Sequence, residues 1–239
     1  MGIQNVFKRY EIKYVIHENQ RQALENAMAE YMQPDAYGKS SICNIYFDTP
    51  DKLLIRRSLE KPIYKEKLRV RSYGVAEEQQ QVFVELKKKY KQVVYKRRVA
   101  MAEWEARQYL QQGAVLGPHT QILKEIDYFK SFYPGIQPAV FLSYDRSAFY
   151  SKDDPDFRMT FDENILWRDS DLSLTNGIYG QPLLKKGSVL LEVKTASALP
   201  LWLVHFFNDN RIYKESFSKY GKAYEAMLCK TNVGGIRSA

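Results

Sequence analysis

The sequence predicts an α+β protein in which an antiparallel sheet closes into a barrel and helices pack on its outside. Two observations support this fold class. Many segments alternate between apolar and charged residues, which indicates strands because successive side chains of a strand point to opposite faces. The charged faces of these segments are mostly positive, whereas a solvent-facing strand usually mixes charge signs. We therefore expect the charged faces to line an interior that holds an anion, with helices covering the apolar faces.

The first half of the chain predicts a helix after the first strand and then a meander of strands. Asn19 to Met32 has apolar residues at helical spacing and is followed by Pro34, which ends a helix. Lys52 to Leu59 follows a Thr-Pro-Asp turn and is expected to be a short helix or an irregular segment. The gaps between the later strands are short enough for hairpins. The predicted strands are Phe7 to Ile16, Ser41 to Asp48, Tyr64 to Tyr73, Val82 to Lys89 and Gln92 to Met101.

The second half predicts four helices and three strands. Helices are expected from Ala102 to Gln112 and from Thr120 to Phe132, with the breaker pair Gly117-Pro118 between them. The apolar segment Pro200 to Phe207 is too short to span a bilayer and is expected to be a buried helix. A closing helix is expected from Gly221 to Lys230. The predicted strands are Ala139 to Tyr150, Arg158 to Phe161 and Ser188 to Thr195.

The charged faces of the predicted strands share one sign bias. Val82 to Lys89 is the clearest case, because it places Glu85, Lys87 and Lys89 on one face and apolar side chains on the other. On one or two strands this pattern would indicate only a solvated face. The same bias on seven strands favours a binding surface for an anion. Collected over the chain, these faces carry Arg9, Glu11, Lys13, Lys67, Arg69, Arg71, Glu85, Lys87, Lys96, Arg98, Arg146, Arg158, Glu192 and Lys194.

Length and composition limit the class of protein. The 239 residues include 36 Lys and Arg against 28 Asp and Glu, and the net charge of +8 predicts attraction to polyanions. We expect one domain over residues 1–239, with a core at 7–230 and a flexible tail at 231–239. No stretch reaches the roughly 18 apolar residues of a membrane span, and no signal-peptide core is present, so a cytoplasmic protein is expected. The absence of a Gly-x-x-x-x-Gly-Lys loop argues against a P-loop kinase.

Short motifs follow one another along most of the chain, and their order and spacing together are more specific than any one of them. They are Arg9-Tyr10-Glu11-Ile12-Lys13-Tyr14, Ile45-Tyr46-Phe47-Asp48-Thr49, Lys67-Leu68-Arg69-Val70-Arg71, Val84-Glu85-Leu86-Lys87, Lys96-Arg97-Arg98, Tyr144-Asp145-Arg146, Arg158-Met159-Thr160-Phe161-Asp162, Leu191-Glu192-Val193-Lys194 and Ser218-Lys219-Tyr220. In this combination the sequence resembles the VTC domain, the polyphosphate polymerase domain of the triphosphate tunnel metalloenzyme (CYTH-like) superfamily. The resemblance runs from about Phe7 to Lys230.

The resemblance implies an eight-stranded antiparallel β-barrel tunnel in which basic side chains hold a triphosphate or a growing polyphosphate chain. Carried over residue by residue, it makes Arg69, Arg71, Arg146 and Arg158 the catalytic residues. The implied phosphate-binding residues are Lys13, Lys67, Lys87, Lys96, Arg98, Lys194 and Lys219. Glu192 would bind Mn²⁺ or Mg²⁺ through oxygen. Glu85 is expected to orient its basic neighbours instead.

The implied activity is transfer of the terminal phosphate of ATP to polyphosphate. Such a reaction depends mostly on positioning and charge stabilisation, for which arginine forks and lysine point charges are suited. ATP and polyphosphate are the implied partners. A membrane-protein partner is also a candidate, because eukaryotic members of the family work in membrane assemblies. No nucleic acid is expected, since base stacking needs exposed aromatics, whereas Tyr10, Tyr14, Phe141 and Phe161 fall on the apolar faces.

Two other functions of the same surface stay open at this point. A triphosphatase would use the same basic residues with water as the phosphate acceptor. A non-catalytic domain would bind polyphosphate or inositol polyphosphate through the same lysines. The hydrolytic and cyclase relatives begin with Glu-x-Glu-x-Lys, whereas this chain has Arg9 at the first acidic position, before Glu11 and Lys13. Loss of that acid weakens the case for a two-metal hydrolase.

Overall fold

The computed structural model describes residues 10–91, 93–113 and 120–235, which form strands and helices in alternating groups. The strands are β1 (Tyr10–His17), β2 (Met32–Asp48), β3 (Tyr64–Tyr73), β4 (Gln81–Tyr90), β5 (Val93–Ala102), β6 (Gln137–Ser151), β7 (Arg158–Arg168), β8 (Gln181–Pro182) and β9 (Ser188–Thr195). The helices are α1 (Glu18–Met28), α2 (Leu53–Leu59), α3 (Glu103–Arg107), α4 (Gln121–Phe132), α5 (Leu201–Asp209) and α6 (Lys219–Gly235). A π-helical turn, Gln108–Gln112, continues α3.

The strands follow the hydrogen-bonded order β1-β9-β7-β6-β2-β3-β4-β5, and β8 pairs with β7. The pairs β1–β9, β2–β3, β3–β4, β4–β5, β7–β8 and β7–β9 are antiparallel. This arrangement confirms the predicted α+β class with an antiparallel sheet of eight main strands. In the part of the chain that the structure describes, the order ends at β1 and β5, so its hydrogen bonds do not close the strict barrel that the sequence predicts.

The contacts within the chain divide it into two compact units. The first unit comprises Met1–Ser41, Tyr144–Ile165 and Leu184–Phe217. The second unit comprises Ile42–Ser143, Leu166–Leu183 and Ser218–Ala239. Strands β2, β6 and β7 each contribute residues to both units. The prediction of a single domain over the whole chain stays a prediction.

Each unit has its own apolar core, in which helices cover the apolar faces of strands. In the first unit Tyr14 of β1 and Leu191 of β9 pack with α1 and α5. In the second unit Leu68 of β3 and Leu86 of β4 belong to a cluster that also includes residues of α3 and α4. A second cluster there joins Trp167 of β7 to residues of α2 and α6. This burial supplies most of the favourable free energy of folding, and the charged residues of each strand lie on the opposite face.

Strands β2 and β7 are longer than the sequence predicts. Strand β2 begins at Met32, well before the predicted start at Ser41. The sequence did not predict this first part because it is largely exposed and carries Pro34 and Gly38, which usually interrupt strands. Strand β7 continues to Arg168 through a polar stretch that includes Asn164 at a φ of 48°. Neither extension has the apolar alternation on which strand prediction depends.

Three further expectations are settled or limited by the described residues. Helix α6 runs to Gly235, into the segment expected to be a flexible tail, and residues 236–239 lie outside the described part. Arg9 of the predicted first strand also lies outside it. Tyr10 is 41% exposed, so its predicted burial is wrong, whereas Tyr14, Phe141 and Phe161 are buried.

Among the described helices, none has the length and apolar character needed to cross a membrane.

Candidate phosphate-binding site

Three lysines lie side by side across β3, β4 and β5 of the second unit. Lys67 is opposite Lys87, and Lys87 is opposite Lys96. Like charges directly opposite one another repel and destabilise a sheet. Lys67 Nζ donates to the Ser218 hydroxyl at 3.3 Å, which places the start of α6, and with it the predicted residue Lys219, beside this lysine row. The row concentrates positive charge where an anion would relieve the repulsion.

Glu85 is the counterion of the neighbouring row, in which it lies between Arg69 and Arg98. Its buried carboxylate is 2.6 Å from Arg69 Nη2 through Oε2 and 2.6 Å from Lys96 Nζ through Oε1. Burial alone would raise the pKa of Glu85, but Arg69, Arg71 and Lys96 lower that pKa to about 2. Glu85 therefore stays ionised at neutral pH and orients its basic neighbours, as the sequence leads us to expect.

Arg71 and Arg98 are held by different contacts. Arg71 is buried, and its Nε donates to Asn44 Oδ1 at 2.9 Å; the Asn44 amide in turn donates to the Leu142 carbonyl at 3.2 Å. The more exposed Arg98 lies over the Phe83 ring, with Cζ 4.8 Å from its centroid. Fixed guanidinium groups lose less rotamer freedom on binding a phosphate than free ones, so these contacts preorganise the site.

Tyr46 belongs to the same cluster, although sequence reasoning assigned it no role. Its phenol oxygen accepts from Arg69 Nη1 at 2.9 Å, and its ring stacks on Tyr220 with centroids 5.1 Å apart. Burial alone would raise the pKa of Tyr46, but Arg69, Lys67 and Arg71 lower that pKa to about 7. The sequence contains a sign of this role, because Tyr46 shares a strand face with the polar residue Asn44, whereas the apolar residues between and after them point to the other face.

Lys96 also titrates closer to neutrality than an ordinary lysine. Desolvation lowers its pKa to about 8; Glu85 opposes this shift, whereas Arg69 and Arg71 add to it. A phosphate anion over the cluster would favour the charged form of Lys96 and the neutral form of Tyr46. Both groups therefore link the binding of an anion to the uptake of protons.

The first unit holds another group of predicted residues, but there acids are interleaved with the bases. Arg146 donates from Nε to Asp162 Oδ1 at 2.6 Å and from Nη2 to Asp162 Oδ2 at 2.7 Å and Glu192 Oε2 at 3.3 Å. Lys13 Nζ is 3.1 Å from Glu11 Oε1 and 3.9 Å from Glu192 Oε1. The predicted catalytic guanidinium of Arg146 is thus engaged by two carboxylates. A bound phosphate would have to share or replace them.

Arg158 and Lys194 stand at the more open part of the same face. Lys194 is opposite both Glu11 and Arg158 in the strand register. The exposed Arg158 donates from Nη2 to Asp35 Oδ2 at 2.5 Å. Asp162 and Asp35 were not predicted to neutralise these cations. Asp162 lies on the same face of β7 as Arg158, four residues further along the strand. Asp35 lies in the first part of β2, which the sequence pattern did not predict to be a strand.

The predicted metal ligand Glu192 has suitable oxygen donors beside it. Glu192 is opposite Lys13 on β1 and Thr160 on β7, and within the part of the chain that the structure describes the buried Thr160 hydroxyl has no hydrogen-bond partner. Asp162 reaches the same arginine as Glu192. Carboxylate and hydroxyl oxygens fit a hard cation such as Mg²⁺ or Mn²⁺. Among the described residues no group of three or more His, Cys, Asp or Glu could hold a metal, so phosphate and water would have to complete its coordination.

One comparison with known proteins identifies the family of this chain, and another identifies solved structures with a similar fold. The family model described as the VTC domain matches residues 8–228. The fold is similar to that of a Bacillus halodurans protein proposed to be an adenylate cyclase, with a TM-score of 0.57, 13% identity and coverage of 90% of this chain and 96% of that one. No protein with a curated description matches the chain.

A plant protein of similar fold is also relevant. It comes from Hippeastrum, was proposed to be an adenylyl cyclase and is described as having a dominant triphosphatase activity. Its TM-score to this chain is 0.51 at 14% identity, with 88% of this chain and 92% of that one covered. At this identity the similarity shows the fold and carries no residue roles.

Glu85 predicts a specific loss of stability in acid. Its folded-state pKa of about 2 lies below the usual 4.5, so its contribution is complete above about pH 4.5 and is lost as the pH falls through 2. We expect Glu85→Gln to lower the free energy of unfolding at pH 7 by roughly 3 kcal/mol and to remove this part of the acid dependence. Urea unfolding between pH 2 and 7 measures both effects.

Glu225→Gln is the matched control, because it removes the same charge from an exposed carboxylate that forms an ion pair with Lys222 on the same helix. It should leave the acid profile unchanged. An identical loss of stability between pH 4.5 and 2 in the parent and in Glu85→Gln would show that Glu85 is not this counterion.

Tyr46 predicts an optical change near neutral pH. With a pKa of about 7, its phenolate should form between pH 6 and 8, well below the range of ordinary tyrosines. Ultraviolet difference absorbance of tyrosinate should rise there in the parent and not in Tyr46→Phe. Tripolyphosphate should move this titration to higher pH, because it neutralises Lys67, Arg69 and Arg71. Persistence of the signal in Tyr46→Phe would assign it to another residue.

Proposed function

Because the chain belongs to the VTC domain family of the triphosphate tunnel (CYTH-like) superfamily, we propose that it is a polyphosphate polymerase. It transfers the terminal phosphate of ATP to a growing polyphosphate chain with Mn²⁺ or Mg²⁺ bound. The observation that carries the proposal is the lysine row of Lys67, Lys87 and Lys96, flanked by the Arg69–Glu85–Arg98 row. A protein with no anionic ligand has little reason to keep three opposed lysines together.

The spacing of the row suits a polymer of charged groups. Neighbouring strands lie roughly 4.8 Å apart, so a phosphate chain that runs across β3, β4 and β5 would meet one lysine per strand. A single phosphate would engage only part of the row. The repeated cation spacing therefore favours an extended polyanion or the triphosphate of a nucleotide over a simple monoester.

The arginines supply the positioning that phosphoryl transfer requires. Arg69 and Arg71 are held by Glu85 and Asn44, so their donors need little rearrangement when charge develops on the transferred phosphoryl group. Within the first unit, Arg146 and Arg158 are proposed to bind phosphate oxygens in exchange for their carboxylate partners. Lys13, Lys194, Arg98 and Lys219 are proposed to hold phosphates that do not react.

A divalent cation would be held by Glu192, with Asp162 and the Thr160 hydroxyl close by. When bound, it neutralises phosphate charge and orients the terminal phosphoryl group for in-line transfer. Arg146 is shared between Glu192 and Asp162, so it fixes the direction of both carboxylates. A membrane-protein partner that receives the product is a further part of the proposal and rests on family membership alone.

Triphosphatase activity is the second candidate, because the Hippeastrum protein of similar fold is described as having that activity. One experiment separates the candidates. The purified chain is incubated with ATP and Mn²⁺, and the products are resolved on a gel stained for polyphosphate. Long chains support the polymerase, phosphate release without chain growth indicates a triphosphatase, and tight polyphosphate binding without turnover indicates a binding domain.

We expect the substitution Lys87→Met to weaken the binding of tripolyphosphate with little change in the free energy of unfolding. The substitution keeps an unbranched side chain in the centre of the lysine row and removes one charge. We expect tripolyphosphate affinity, measured by calorimetry, to fall about tenfold, because a hydrogen bond to a charged group contributes about 1.5–3 kcal/mol. The free energy of unfolding without ligand should change by less than about 1 kcal/mol.

Lys88→Met is the control for Lys87→Met, since Lys88 is the next residue of β4 and points to the opposite face, across from Glu66. It removes the same net charge and should leave tripolyphosphate affinity within about twofold. Equal losses in the two variants would mean that net charge, rather than the lysine row, governs binding.

Glu192→Gln predicts weaker metal binding in the presence of substrate. We expect the Mn²⁺ concentration needed for half-maximal binding, measured by water-proton relaxation with tripolyphosphate present, to rise about tenfold. Glu163→Gln is a suitable control in the same unit, because Glu163 is also ion-paired, with Arg21 and Lys39. An unchanged Mn²⁺ titration in Glu192→Gln would exclude Glu192 as a metal ligand.

A further inference from the structure

Two aromatic side chains lie on the charged face of the sheet in the second unit. Phe83 of β4 is two residues from Glu85 and Tyr73 of β3 is two residues from Arg71, so both rings point to the same side as these charged groups. Tyr73 is 48% exposed, whereas Val84 on the opposite face is fully buried. Neither ring is part of the apolar clusters of this unit described above. Core packing therefore does not account for the pair.

The two rings and Arg98 form one connected group. Tyr73 and Phe83 meet edge to face, with ring centroids 6.0 Å apart and an angle of 82° between their planes. The Arg98 guanidinium lies over the Phe83 ring, with Cζ 4.8 Å from the centroid. Phe83 thus supports two outer members, and both of these are exposed. An aromatic ring and a guanidinium plane are the side-chain surfaces on which nucleobases stack.

The neighbouring strand leaves space beside this group. On β5 the face that carries Lys96 and Arg98 continues with Ala100 and Ala102. Ala100 is exposed and lies directly opposite Phe83. The change from long basic side chains to small ones therefore occurs at the row that contains Phe83. A flat group placed there meets a ring and a methyl group instead of another cation.

The basic rows are flanked differently at their two ends. Beyond the lysine row, Lys65 lies opposite Lys89 and continues the positive surface. Beyond the Arg69–Glu85–Arg98 row, Phe83 lies opposite Arg71. A simple polyanion would be served by basic residues at both ends. The asymmetry fits a ligand with a chain of phosphates at one end and a flat, weakly polar group at the other.

The distance between Phe83 and the lysine row suits a nucleotide. Lys87 is four residues from Phe83 on the same face of β4, and a strand rises about 3.4 Å per residue, so roughly 13 Å separate the two rows. This length is comparable with that of an extended nucleoside triphosphate from its base to its terminal phosphate. Inorganic tripolyphosphate is shorter and has no base, so it would occupy the basic rows without reaching Phe83.

From these features we infer that Tyr73, Phe83 and Arg98 bind the base of a nucleoside triphosphate whose terminal phosphate reaches the lysine row. The base stacks against the Tyr73 ring and the Arg98 plane, and Phe83 holds both in place. Arg98 also keeps its proposed contact with phosphate, because its N–H groups point outward from the edge of the plane. The inference rests on the proposed function, since it assigns the end of that site at which the nucleoside lies.

ATP and ribose 5-triphosphate are the matched probes, because they have the same phosphate chain and sugar and differ in the base. Calorimetry with the full chain, without divalent metal so that no phosphoryl group is transferred, should show ATP binding about fivefold tighter or more, as base stacking on aromatic side chains provides. Equal affinities for the two ligands would overturn the inference, because the site would then recognise only the phosphates and the sugar.

Tyr73→Leu tests the residue assignment. It removes the exposed ring and keeps an apolar side chain against Phe83, so the variant should fold. ATP affinity should fall about fivefold, whereas the affinities for ribose 5-triphosphate and tripolyphosphate should stay within about twofold of the parent. Equal losses for ATP and tripolyphosphate would contradict the inference, since Tyr73 would then act on the phosphates or on the fold.

Tyr95→Leu is the control for Tyr73→Leu. Tyr95 of β5 is also an exposed tyrosine of the second unit, at 36%, but it lies opposite Lys88 on the other face of the sheet. This variant should bind all three ligands as the parent does. A loss of ATP affinity equal to that in Tyr73→Leu would show that the effect does not come from a site on the charged face.

The outcome can be separated from that of the polymerase assay. A selective loss of ATP affinity in Tyr73→Leu, together with no chain growth from ATP in the parent, would support the base site and exclude the polymerase. Chain growth in the parent, together with unchanged ATP affinity in Tyr73→Leu, would support the polymerase and overturn the base site.

Discussion

Repulsion between like charges on one face of the sheet is the interaction on which the structure of the basic cluster in the second unit depends. Lys67, Lys87 and Lys96 can stand side by side because Glu85, in the next row, is buried and fully ionised and pairs with Lys96 and Arg69. One carboxylate offsets only part of this charge. The concentration of like charge attracts an anion, so the same arrangement that limits stability favours the binding of phosphate.

The two units handle their basic residues differently. In the second unit the row of Arg69 and Arg98 contains one buried acid, Glu85, whereas in the first unit Arg146 and Lys13 are matched by Asp162, Glu192 and Glu11. Phosphate binding in the second unit is an addition to the cluster. In the first unit, phosphate would have to replace a carboxylate as the partner of Arg146 or Lys13. A divalent ion on the released carboxylates would make that exchange easier, because it replaces the lost positive charge.

Alternation of apolar and charged residues was sufficient to predict most strands, the α+β class and which basic residues share a face. It could not predict β2 before Ser41, where the side chains are exposed, or the last part of β7, where polar residues interrupt the pattern. The roles of Tyr46 and Asp162 were missed for another reason. Their importance comes from cross-strand neighbours, and the register between distant strands is set by tertiary structure rather than by local sequence.

Arg168 gives the loop that ends at Tyr179 an internal support, and the Tyr179 ring of the loop lies over the same guanidinium at 4.2 Å. Four carbonyls are fixed by one guanidinium, which in turn is fixed by the Phe141 ring. Thr175 and Asn176 of this loop are held in addition by their own side chains, since the Thr175 hydroxyl is 2.7 Å from the Ser173 hydroxyl and Asn176 Nδ2 donates to Asp171 Oδ1 at 2.5 Å. The shape of this loop is thus fixed from the interior by Arg168 and from the surface by its own side chains.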